Sequence, residues 1–210
     1  MPPVLSGPTV TTQWLADHLG SDDLVILDAT VLVVQAGSGT PAWISGRDRY
    51  LLDGHLPGAV FADLIGPFSA HGTRSPFARP DAASFERAAA SVGVTDSSTV
   101  VVYDSAGGLW AARLWWLFRS YGFESIAVLD GGLRAWLTED RETDIRPVKP
   151  RPGSIAAVAQ PEQWADTAEV DRVIAAGRPP PRPRRQADRG VKTPEGHTSV
   201  GTRHVKFSQR

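Results

Sequence analysis

No cysteine occurs among the 210 residues, and methionine occurs once. Disulfides, thiolate metal sites and thiol nucleophiles are therefore excluded from this chain. Neither sign of charge dominates: 22 lysines and arginines stand against 23 aspartates and glutamates, for a net charge of -1. No overall field favours nucleic acid or an anionic membrane surface. Long apolar runs are also missing, none nearing the roughly 20 residues that span a bilayer. The opening Met-Pro-Pro-Val-Leu-Ser-Gly lacks the basic and apolar regions of a signal peptide, so a cytoplasmic location is expected. No histidine stands four residues from another, and no metal site is expected. Neither the glycine spacing of a dinucleotide fingerprint nor that of a phosphate loop is present, so no cofactor is expected.

What is present is alternation. Thr11 to Leu19 has helical spacing, with Thr11 or Thr12 as the cap and Gly20 as the stop. Leu24 to Ala29 is a short apolar run of the kind that forms a strand buried on both faces. Asp81 caps an alanine-rich helix that runs to Ser91. Thr99-Val100-Val101-Val102-Tyr103 reads as a second strand, followed at once by Asp104-Ser105-Ala106-Gly107-Gly108. Leu109 to Tyr121 is helical, with Gly122 as its C-cap. Ile126 to Leu129 is a third strand, leading through Asp130-Gly131-Gly132 to a short helix over Leu133 to Leu137. Strands alternating with helices of this length predict an α/β fold, its central mostly parallel sheet flanked by helices. Ligand sites in such sheets lie beyond the carboxyl ends of the strands, which is where the loop after Tyr103 falls.

The composition changes near Thr143. Three prolines between Arg146 and Gly153 mark residues 143–154 as a linker. A faint repeat follows: Gln163-Trp164-Ala165-Asp166 echoes Gln13-Trp14-Leu15-Ala16-Asp17, and Gly196-His197 echoes Gly54-His55. Between the two later motifs lies Arg178-Pro179-Pro180-Pro181-Arg182-Pro183-Arg184-Arg185, which cannot be a central strand because proline offers no ladder donor. Residues 8–142 are thus expected to form one domain. Residues 155–210 are expected to be the truncated or disrupted start of a second copy, with 178–190 disordered.

Taken in order, Leu27-Asp28-Ala29, Gly54-His55-Leu56-Pro57-Gly58-Ala59, Val100 to Asp104, Ala112-Arg113-Leu114-Trp115-Trp116 and Leu129 to Trp136 resemble the rhodanese superfamily. More narrowly, the chain resembles the amino-terminal half of two-domain thiosulfate and 3-mercaptopyruvate sulfurtransferases, over roughly residues 10–140. The resemblance implies transfer of sulfane sulfur to a thiophilic acceptor through a cysteine persulfide. In that family the thiolate both attacks and leaves, and backbone N–H groups of its loop stabilise the anion. It also implies that this chain carries the non-catalytic loop, with Asp104 where a cysteine would stand. Ser105, Ala106, Gly107, Gly108, Leu109 and Trp110 form the rest of that loop, and Arg113 lies on the helix behind it. The second-copy loop would fall some 40–50 residues past His197, beyond Arg210. The chain is expected to be inactive by itself.

Asp104 reads chiefly as an acceptor for loop N–H groups and a cap for the following helix. An aspartyl-phosphate role is disfavoured, because Ala106 stands where such enzymes usually carry a second aspartate. Arg113 is expected to pair with Asp104 or Asp28, or else to bind an anion. His55 is expected to satisfy backbone groups beside its turn. Trp110, Trp115 and Trp116 are expected to divide between the sheet and a neighbouring surface. The expected partner is a second rhodanese domain, or another protein, on the Trp110/Trp115 side, with neither nucleic acid nor membrane involved. The alternative function is a non-catalytic rhodanese-like protein-binding module.

Overall fold

The computed structural model describes residues 2–35, 37, 39, 41–73, 76–165 and 167–177. Seven strands are present among them: β1 (Thr9–Val10), β2 (Leu24–Asp28), β3 (Val31–Gln35), β4 (Pro41–Ser45), β5 (Val60–Phe61), β6 (Thr99–Tyr103) and β7 (Ile126–Leu129). The helices are α1 (Thr12–His18), α2 (Arg47–Leu52), α3 (Ala82–Ser91), α4 (Leu109–Ser120), α5 (Gly132–Thr138) and α6 (Thr167–Ala175). Five strands form one wholly parallel sheet in the order β1-β7-β6-β2-β5. The expected α/β architecture is therefore what the chain adopts. β3 and β4 pair antiparallel as a separate hairpin, Val31 opposite Ser45 and Val33 opposite Trp43.

The period of two along β6 divides the core. Val100 and Val102 pack with Phe85 of α3 and Leu114, Leu117 and Phe118 of α4 on one face. Val101 and Tyr103 pack with Leu15 of α1, Leu56 and Trp136 of α5 on the other. All five residues of β6 are buried, which is why the strand reads as continuously apolar. Local caps start two of the helices: Thr11 accepts from Trp14 N–H, and Asp81 accepts from Ser84 N–H at 2.7 Å.

The segment expected to be a linker is fixed along this domain. Its prolines have no N–H to give, but several donors between and after them reach the domain. Val148 N–H donates to the Tyr50 hydroxyl, Ser154 N–H to Val94 carbonyl and Ala157 N–H to Glu86. Val158 and Gln160 donate to the carbonyls of Tyr121 and Ser120. The compact unit accordingly extends to Ala165.

The second copy is not seen among the described residues. Gln163 ends a 3-10 turn, Pro161–Gln163, and Trp164 is extended, whereas Gln13 and Trp14 lie inside α1. The remaining unit, from Asp166, contributes α6 among the described residues. The Pro/Arg run and the echo at His197 lie outside the described residues. No helix among the described residues is long and apolar enough to cross a membrane.

Candidate functional site

β6 delivers Asp104 to the carboxyl end of the sheet, and the chain then turns through Ser105 to Gly108 into α4. Gly108 is the N-cap of α4 with φ +91, a left-handed conformation that costs glycine little and other residues more. This turn and the start of α4 point four N–H groups at Asp104. Ala106 and Gly108 donate to one carboxylate oxygen of Asp104, and Trp110 and Ala111 donate to the other, each at 2.8 Å. Asp104 is 1% exposed, so both oxygens are occupied and shielded. Ser105 N–H is held separately by the Thr30 hydroxyl at 3.1 Å.

A second glycine turn locks the loop from behind. Leu133 N–H donates to Asp104 carbonyl. A Cβ on Gly132 would sit 2.6 Å from that same oxygen, so only glycine permits the approach. The loop is thus a nest of N–H donors of the kind that holds anions, and the anion is the chain's own carboxylate. An aspartyl nucleophile would need an open oxygen and a line of attack, and neither oxygen of Asp104 has one.

Beside the loop is a half-open cleft of about 440 Å³, lined by Asp28, Thr30, Tyr50, Ser105, Arg134 and Leu137 among others. Burial pushes the Asp28 carboxyl up, against the hydrogen bonds from Thr30 and Tyr103 that favour its charged form. Burial, and then the neighbouring Asp28, push the Tyr103 hydroxyl well up. His55 is buried, stacked on Tyr50 with 3.9 Å between ring centroids. Its Nδ1 faces Leu56 carbonyl and its Nε2 faces Arg146 carbonyl, the backbone-satisfying role expected of it.

One expectation needs correction. Arg113 pairs with neither Asp104 nor Asp28. Asp104 is already saturated by N–H donors, and Arg113 reaches instead to Phe77 carbonyl at 2.6 Å. Its guanidinium lies 5.1 Å from the Trp164 ring centroid, as does that of Arg79. Trp110 is 7% exposed and packs on Phe77 at 4.8 Å. Trp115 is half-buried, its indole N–H donating to Ile126 carbonyl. The exposed member of the stripe is Trp116, 42% exposed and stacked on Trp164 at 4.8 Å.

Comparison with known proteins gives this geometry a lineage. The rhodanese-like domain family matches residues 11–139. The chain belongs to that family. It is 34% identical over 158 residues to the thiosulfate sulfurtransferase of Cricetulus griseus, covering 73% of this chain and 51% of that one. It is 32% identical over 165 residues to the 3-mercaptopyruvate sulfurtransferase of Escherichia coli K12, covering 77% and 55%. The rhodanese-like chain thus spans about half the length of these curated relatives. Among solved structures, a 3-mercaptopyruvate sulfotransferase of rhodanese fold from E. coli superposes with a TM-score of 0.72 at 28% identity, covering 82% of this chain and 63% of that one.

Proposed function

We propose that this rhodanese-like chain is the non-catalytic half of a sulfurtransferase of the thiosulfate or 3-mercaptopyruvate type, and that it carries no sulfur itself. The observation that carries this reading is the filled nest at Asp104. A persulfide enzyme needs a thiolate that attacks the donor, holds the sulfur as an anion cradled by loop N–H groups, and releases it. Here the cradle is occupied by a buried carboxylate, and no thiol exists anywhere in the sequence. A fixed negative charge at that point repels thiosulfate and persulfide alike. On this reading the loop of residues 104–110 is the degenerate one. The reactive cysteine belongs to a second rhodanese domain that docks on this one.

A purified-protein assay with thiosulfate and cyanide, and with 3-mercaptopyruvate and a thiol acceptor, tests the reading. No turnover above buffer is expected from the chain alone. Addition of the separately expressed cysteine-bearing half of the E. coli relative is expected to give a defined complex with altered turnover. Robust turnover by the chain alone overturns the proposal.

A second reading, a free-standing binding module, has one observation in its favour. The β3–β4 hairpin leaves Val33 and Trp43 exposed as a cross-strand pair on one of its faces. Failure to bind any cysteine-bearing half, with retention of a specific partner by that hairpin, would favour it.

A further inference from the structure

Two buried side-chain polar atoms among the described residues have no hydrogen-bond partner: Arg79 Nε and Arg113 Nη1. Both belong to one small cluster. Arg79 precedes α3 and gives one N–H to Ser120 carbonyl at 2.7 Å, and its guanidinium lies 4.1 Å from the Tyr121 ring centroid. Arg113, on α4, gives one N–H to Phe77 carbonyl. Both guanidiniums approach the ring of Trp164, which itself stacks on Trp116.

None of the ion pairs among the described residues includes either arginine. Asp81, close along the chain to Arg79, spends a carboxylate oxygen on Ser84 N–H at the start of α3. Two like charges therefore share a half-buried position with carbonyl dipoles and aromatic faces but, among the described residues, no ion-pair partner. Buried donors that lack partners in a native fold mark a place where a water or an ion completes the network. Guanidinium pairs are matched chemically by oxyanions, which accept from both at once.

We propose that Arg79 and Arg113 form a binding site for a tetrahedral oxyanion of the sulfate or phosphate class, with Trp164 as its aromatic cover. The two arginines are anchored separately, Arg79 to Ser120 carbonyl and Arg113 to Phe77 carbonyl. Sulfate and phosphate carry four oxygens that can accept from both, twice as many as a carboxylate offers. The orphaned N–H atoms lie out of solvent contact, so entry of the anion requires a local rearrangement around them. The site is independent of the sulfurtransferase reading, since it uses no part of the Asp104 loop.

The test is a titration of the purified chain with sodium sulfate, sodium phosphate and sodium acetate in chloride buffer. Sodium and ionic strength are held constant, and tryptophan fluorescence is followed with calorimetry alongside. A saturable response to sulfate or phosphate is expected, with Trp116 and Trp164 as reporters. Arg79→Gln and Arg113→Gln should each weaken that binding about tenfold or more, because each removes a charged donor. Circular dichroism of both variants checks that they are folded. No saturable response in the unmodified chain overturns the site, as does equal binding by the folded variants. Saturation by acetate alone overturns the tetrahedral assignment. A linear response shared with the variants is the general stabilisation by excluded salts, and overturns it too.

Discussion

Asp104 and the Arg79/Arg113 pair put charge out of water in opposite ways. The carboxylate is fully buried and receives four N–H bonds, two on each oxygen. The guanidiniums are half-buried, and each retains a buried N–H without a partner. Burying a charge is costly unless its hydrogen-bonding capacity is met, so the first arrangement is closed and the second is not. A closed site serves folding and leaves nothing for a substrate. An open one still has an unmet requirement. Hence the loop beyond the carboxyl end of β6, where ligands bind in sheets of this kind, offers no open oxygen at Asp104.

The largest break in this comparison comes at Asp104. Asp104→Ala leaves four N–H groups facing a cavity, and a loss of about 3–5 kcal/mol in unfolding free energy is expected, read by urea denaturation. Asp104→Asn keeps one acceptor oxygen and turns an amide against two of the donors, so its loss should be smaller but still clear. Gly132→Ala attacks the same loop from behind. It adds a Cβ against Asp104 carbonyl at a residue with φ +55, and about 2–4 kcal/mol is expected to be lost. A cost below about 1 kcal/mol at Asp104 would show that the nest does not depend on its carboxylate.

Acid titration sharpens the contrast with two other aspartates of opposite sign. The folded state raises the Asp28 carboxyl, chiefly through burial, so its contribution is fully present below the unfolded value of 3.8. That contribution is lost as pH rises through the folded value. The folded state lowers the Asp144 carboxyl, chiefly through hydrogen bonds from Arg146. Its contribution is present above 3.8 and is lost as pH falls through the folded value. Asp28→Asn should therefore gain on the unmodified chain as pH rises from about 4, then level off. Asp144→Asn should trail it at neutral pH and converge with it in strong acid. Denaturation midpoints across that range would show either slope, and reversed slopes would refute the assignments.

Much of this was legible in the sequence. The run from Thr99 to Tyr103 could bury both faces only as a strand inside a sheet. An aspartate followed by a glycine-rich turn and a helix demands N–H donors for its carboxylate. The hairpin was missed although its signal was present, in β-branched residues at Val31, Val33 and Val34 and an aromatic at Trp43 around glycines 37 and 39. β1 and β5 contribute two residues each, too few to show a period. The ion pair expected of Arg113 failed because charge counting does not register that an acceptor is already saturated. Its true acceptor, Phe77 carbonyl, lies in an irregular segment 36 residues upstream, and its aromatic neighbour Trp164 is still more distant in sequence. Such contacts are set by how α4 and the extended segment pack, which no local pattern reveals.

The smallest expected effect is the sharpest test of the opening contrast. Arg113→Met keeps much of the side chain's bulk and removes the charge. The change forfeits one hydrogen bond to Phe77 carbonyl and the attraction to Trp164. It also relieves the burial and the repulsion from Arg79 that together lower the Arg113 pKa. Replacing a poorly compensated buried charge by an apolar group is often neutral or stabilising, so in chloride buffer the net change should stay within about 1 kcal/mol of zero. Added sulfate should then stabilise the unmodified chain in a saturable way and leave Arg113→Met unmoved. A loss as large as that at Asp104 would mean that the arginine pair is as closed as the carboxylate and that the contrast between the two sites is false.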